Sequence, residues 1–146
     1  MDDHIKSDYD TDFLVWLEAQ AELLRAKEFD RLDLEHLIEE IDAMAGQLKR
    51  ELAHRLEILL IHLLKLKYQP ARASNGWRGT VGEQRRRIKR LLKEMPSLAN
   101  LIDAYLLDAY QDAVDGAAAE TGLPKATFPT TNRFTRQQVF DPDYLP

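Results

Sequence analysis

Six apolar residues at alternating spacings of four and three set the frame: Leu34, Ile38, Ile41, Ala45, Leu48 and Leu52. That rhythm keeps one side of an α-helix apolar and fits no strand, whose sides alternate every second residue. After Leu56 the stripe widens, and Ile58, Leu59, Leu60, Ile61, Leu63, Leu64 and Leu66 point to nearly every side. A helix apolar all round is buried all round. Residues 56–66 are therefore the expected centre of the fold, and the stripe before them is expected to pack inside a helix bundle. Gly46 lies within the pattern at a cost of about 1 kcal/mol relative to Ala, which leaves open a kink, a break or a close helix crossing there.

The neighbouring segments read as helices too. Thr11 or Asp10 can cap a first helix from Asp12 to about Lys27, with Phe13, Trp16, Leu17, Ala21 and Leu24 at helical spacing. Asp33 is a good N-cap for the long helix, and Tyr68-Gln69-Pro70 ends it, because proline disfavours helical geometry at the residue before it. A third helix is expected from about Trp77 to Glu94. A fourth opens at Pro96-Ser97 and stops before Gly122, a suitable C′ residue. Thr135-x-x-Gln138 is a capping-box spacing for a short turn over Arg136–Phe140. Phe128, Phe134, Val139, Phe140, Tyr144 and Leu145 are many apolar groups for a tail. The expectation is an all-α antiparallel bundle of four or five helices: a flexible N-terminus over 1–11, the bundle over 12–122, and a Pro-rich tail over 123–146 wrapped onto the bundle as part of one domain.

Composition narrows the chemistry. The 146 residues are 45% apolar and 31% charged, enough for one sizeable core. With no cysteine, disulfides, thiolate zinc sites, Fe–S clusters and a Cys nucleophile are excluded. The first residues lack the basic and apolar regions of a signal peptide, and no apolar run approaches the roughly 20 residues of a membrane span. A cytoplasmic protein with no membrane association is the expectation. Charge is unevenly placed. Residues 1–60 hold 7 Lys/Arg against 16 Asp/Glu, residues 61–95 hold 10 against 2, and residues 96–146 hold 3 against 7. Such blocks suggest internal or intersubunit pairing, or a local anion site.

Order and content together resemble a known family. The matching pieces include Tyr9-x-x-Asp12-Phe13-x-x-Trp16, Asp33-Leu34-x-x-Leu37-Ile38-Glu39-Glu40-Ile41, Leu59-Leu60-x-His62-Leu63-Leu64-Lys65 and Tyr68-Gln69-Pro70. Trp77-Arg78, Gln84-Arg85, Pro96-Ser97-Leu98, Thr121-Gly122-Leu123-Pro124, Phe128-Pro129 and Asp141-Pro142-x-Tyr144-Leu145-Pro146 continue it. The chain resembles the bacterial domain-of-unknown-function family twenty-nine. That resemblance implies an all-helical fold and no activity, so no catalytic residue is carried over.

Three constellations are candidates for function. Arg86, Lys89, Arg90 and Lys93 share one helix side at i, i+3, i+4 and i+7, with Arg85 and Arg87 in the same run and Arg78 upstream. Guanidinium forks there suit phosphates, and Tyr68 and Trp77 lie near enough in sequence to stack on bases. The plainer reading pairs this helix with Glu35, Glu39, Glu40 and Asp42. Arg55 and His62, seven apart, resemble the arginine–six residues–histidine signature of a helical nuclease superfamily. There His acts as general acid or base and Arg steadies the charged transition state; a hydrogen-bonded core histidine is the plainer reading. Glu51-x-x-His54 is half of a di-iron motif, and no second half is present. His36 and His4 have no partner at useful spacing. Trp16, Trp77, Tyr105 and Tyr110 read as packing residues, with Asp12, Gln84 and Asp108 as candidate partners for their polar atoms. Neither a metal, a cofactor nor a small-molecule ligand is implied.

The function expected from these residues is a non-enzymatic helical interaction module working through self-association or a protein partner. A contiguous apolar patch left after folding would mark it. The alternatives are a nucleic-acid-binding protein using the Arg85–Lys93 helix, or a metal-independent ribonuclease using Arg55 and His62.

Overall fold

The computed structural model describes residues 8–146. Five helices carry the described chain: α1 (Phe13–Arg25), α2 (Leu34–Tyr68), α3 (Asn75–Glu94), α4 (Ile102–Thr121) and the short α5 (Arg136–Phe140). Residues 8–11 add a helical turn before α1, and no strand occurs among the described residues. The fold is all-α. Residues 1–7 of the segment expected to be flexible lie outside the described residues. No described helix is long and apolar enough to cross a membrane.

Local chemistry sets the boundaries. Asp12 is the cap of α1 rather than its first residue, accepting from the Val15 N–H at 3.2 Å. Ser74 caps α3, which starts at Asn75, two residues ahead of expectation; its hydroxyl accepts from the Trp77 N–H at 3.1 Å. Pro96 opens a 3-10 turn over Pro96–Leu101 before α4 begins. Gly122, at φ +74°, closes α4 in the left-handed conformation that glycine adopts without a Cβ penalty. Thr135 and Gln138 form the reciprocal capping box at α5. α2 runs unbroken through Gly46: one glycine's propensity loss is small against the hydrogen bonds of a 35-residue helix.

Two compact units divide the chain, a first up to Gln47 and a second from Leu48 to Pro146. In the first, α1 and the opening turns of α2 form a helical hairpin around Trp16, Gln20 and Leu23, all buried. Tyr9 stacks on His36 with ring centroids 3.9 Å apart and meets Trp16 edge-on at 4.9 Å.

The second unit holds the main core. Leu52, Leu56, Leu59, Leu60 and Leu63 of α2 are fully buried, with Val81 and Ile88 of α3 and Ile102 and Ala113 of α4. Phe128, Phe134 and Val139 of the tail complete this core. Tyr110 ties the tail down by donating its hydroxyl to the Pro129 carbonyl at 2.5 Å. α2 and α4 approach closely at Gly116, where a Cβ would stand 2.7 Å from Ile61 Cδ1.

One expectation is overturned. The stripe Leu34, Ile38, Ile41 and Leu48 does not pack within the fold: these residues are 59%, 57%, 62% and 39% exposed. Only Leu52 at its end is buried. The period tells which side of a helix is apolar; it does not tell what covers that side.

Candidate functional site

Side chains with functional promise fall on two surfaces, one in each unit. On the second unit, α3 separates its basic run into two sides. Val81, Gln84, Arg85, Ile88 and Leu91 face inward and are buried. Arg86, Arg87, Lys89, Arg90 and Lys93 face outward and are exposed. Arg87 pairs with Glu83 at 2.8 Å. Among the described residues, Arg86, Lys89, Arg90 and Lys93 make no ion pair. Arg78 is exposed, with a long 3.5 Å contact to Asn75 Oδ1. Beside this face lies a groove of about 560 Å³ lined by Ile88, Leu92, Phe140 and Pro142 together with Arg86 and Lys89.

Arg85 is not part of the exposed face. Its Nε donates to the Val139 carbonyl at 2.8 Å and its Nη2 to the Gln138 carbonyl at 2.9 Å. Burial pulls its pKa below the ordinary arginine value, with Asp141 opposing. A signal for this is present in the sequence: Arg85 sits between Val81 and Ile88 on the apolar side of α3, four residues after one and three before the other.

The rings near the basic run already have partners in the second unit. Lys65 Nζ lies 4.5 Å over the Trp77 ring and donates to Glu120 at 3.2 Å. Tyr68 packs edge-on against Phe128 at 5.5 Å.

Arg55 and His62 are not brought into contact. Arg55 donates to Glu51 at 3.1 and 3.2 Å and to Gln84 Oε1 at 3.3 Å. His62 Nδ1 lies 2.9 Å from the Ile58 carbonyl one turn back. His54 is exposed and lines a shallow groove with Glu57, Asp108 and Asp112. Among the described residues no three His, Asp or Glu side chains converge as a metal-holding group.

The first unit carries a polar constellation that sequence reasoning does not find. Asp33, 3% exposed, accepts from Trp16 Nε1 at 3.0 Å and contacts His36 Nδ1 at 2.7 Å, both through Oδ2. Its backbone N–H donates to Gln20 Oε1 at 2.8 Å. Burial pulls the Asp33 pKa up, but the hydrogen bonds from His36 and Trp16 outweigh it and hold the carboxyl below its usual range. The same bond to Asp33 raises His36 against the opposing effect of burial. Tyr9 is pushed up to about 12, first by its 2.6 Å hydrogen bond to Glu40. His36 thus has a partner three residues before it, and Trp16 uses Asp33 rather than Asp12, which is occupied at the cap of α1. His4 lies outside the described residues.

The other surface of the first unit is apolar. Leu34, Ile38, Ile41 and Met44 lie uncovered along α2, and Leu48 continues the row just past the unit's end. Phe13, Leu17 and Leu24 form a second uncovered row on α1 at i, i+4 and i+11. Together these amount to roughly several hundred Å², the scale at which a contiguous apolar patch marks a contact surface.

Comparison with known proteins gives one match. The model of a protein family described as a domain of unknown function, DUF29, matches residues 9–145. No curated protein and no solved structure matches the chain.

Proposed function

We propose that this chain, which belongs to the DUF29 family over residues 9–145, is a non-enzymatic helical interaction module whose working surface is the apolar face of its first unit. The single observation that carries this reading is the exposure of Leu34, Ile38, Ile41 and Met44 along one helix side. Burying a side chain of that size is worth about 1.5–3 kcal/mol. A chain that leaves a periodic row of them in solvent recovers that energy only in an assembly. Tagged wild-type chain and an Ile38→Asp, Ile41→Asp variant, exposed to extract of the source cells, test it. The wild type retains an identified protein, another copy of itself included, and the variant loses it. Equal retention by both chains overturns the reading.

A second reading has its own support. Four cations on α3 without ion-pair partners among the described residues, Arg86, Lys89, Arg90 and Lys93, suit a polyanion such as RNA. Fluorescence anisotropy with a labelled single-stranded RNA at several salt concentrations tests it. Replacing Arg86 and Arg90 by Glu should lower the salt slope by roughly 0.7 for each phosphate no longer neutralised. Affinity indifferent to salt and to both substitutions removes it.

A further inference from the structure

An isolated helical hairpin has one shared face, so a second apolar stripe on either helix finds no cover within it. The first unit has such a stripe on each helix. Two hairpins laid together give every stripe a partner, and the product is a four-helix bundle. We infer that the occupant of this face is a second copy of the chain, docked through an antiparallel α2–α2 seam centred on Asp42. The inference rests on the interaction-module reading and names its partner.

Spacing supports the seam. Leu34, Ile38, Ile41, Ala45 and Leu48 keep the four-three alternation of a coiled-coil interface. Charge then selects the direction. Glu35, Asp42 and Lys49 are seven apart and flank the stripe on one side. All three are exposed, and none makes an ion pair among the described residues. In an antiparallel seam centred on position 42, Glu35 faces the partner's Lys49 and the pair occurs twice, against a single facing of Asp42 on its own copy. A parallel seam in register sets this flank beside the partner's other flank, where Leu37 and Met44 offer it no charge. Area is sufficient as well. Each copy brings the large apolar residues of the α2 row together with Phe13, Leu17 and Leu24 of α1, at 39–65% exposure. Two copies together reach roughly the 1,200–2,000 Å² of a standard interface.

Analytical ultracentrifugation of the full chain, from about 1 to about 200 μM, tests the assembly; this range brackets weak and strong self-association. The wild type sediments as a dimer. Ile41→Asp, at an exposed position, keeps its circular dichroism and weakens the dimer by about 100-fold or more. Glu35→Lys and Lys49→Glu each weaken it, and the two together restore it. Because the chain has no cysteine, Asp42→Cys serves as a single reporter. It forms a disulfide-linked dimer on mild oxidation faster than Leu107→Cys, a control on the 77% exposed residue of α4. Four results each overturn the inference: a monomer throughout the range, a dimer indifferent to Ile41→Asp, a charge swap that does not restore, or Asp42→Cys no faster than the control. A monomer whose Ile38→Asp, Ile41→Asp variant still loses a different protein in the extract experiment removes the second copy and leaves the module intact.

Discussion

Trp16 Nε1 donates to Asp33 Oδ2 across the hairpin of the first unit, 3.0 Å away and seventeen residues apart. Trp16 is wholly buried, so its N–H depends on this carboxylate. Asp33→Ala strands that donor and removes the His36 contact. A buried donor left unmade costs about 1–3 kcal/mol. Urea unfolding followed by Trp16 fluorescence in a Trp77→Phe background should show a loss of that size, since Trp77 belongs to the second unit. An unchanged midpoint would mean that the bond contributes nothing net.

The Asp33–His36 pair gives this unit a pH signature. His36 has its pKa raised above 6.5 in the fold, so its contribution is full below 6.5 and is lost as pH rises through the raised value. Asp33 has its pKa lowered below 3.8, so its contribution is present above 3.8 and is lost as pH falls through the folded value. The pair is at full strength between about pH 4 and 6.5. The Tm gap between wild type and His36→Ala should be widest near pH 5.5 and narrower by about pH 9, where only the stacking on Tyr9 and a neutral hydrogen bond remain. A gap equal at both pH values would remove the ionic part of this account.

Arg85 predicts a different failure. Two charged hydrogen bonds from one guanidinium hold the Gln138 and Val139 carbonyls. Arg85→Ala leaves both oxygens short of a donor and should lower stability by about 2–4 kcal/mol. Arg85→Lys should recover only part, because a point ammonium cannot reproduce the two-pronged geometry. Hydrogen exchange at the Val139 amide should quicken ahead of amides in α4. If the two exchange in step, the tail is not separately anchored.

Gly116 offers a packing test. Its absent Cβ leaves room for Ile61, whose Cδ1 would otherwise lie 2.7 Å away. Gly116→Ala trades better helix propensity for overpacking, and overpacking of about 1–3 kcal/mol wins. Ile61→Val removes the offending carbon and should restore most of the stability in the double variant, read as Tm by calorimetry. Additive effects would show that the two residues do not collide.

What is legible in the sequence is local. Thr135 with Gln138, Pro70 and Gly122 act within a few residues of themselves, so their roles follow from spacing alone. The core of α2 is legible for a related reason: Leu56, Leu59, Leu60, Leu63 and Leu64 keep one side of the helix wholly apolar. Arg85 and Arg86 show where spacing stops short. They are neighbours in one basic run, yet 100° of helix rotation puts one under the tail and the other in solvent. Asp33 reads as a cap, while its bond to Trp16 depends on how the hairpin closes. The row from Leu34 to Leu48 reads correctly as apolar and wrongly as covered, because periodicity carries no information about a neighbour.

Arg85 grips main-chain oxygens, and a main-chain oxygen is the same atom whatever residue bears it. Drift at positions 138 and 139 therefore leaves this anchor intact, provided Val139 keeps an apolar replacement and the backbone path is held. The freedom is one-sided: no other residue at position 85 offers the same planar fork. Positions 138 and 139 can thus vary under selection while this one anchor, among the several that hold the tail, is entrusted to a single codon.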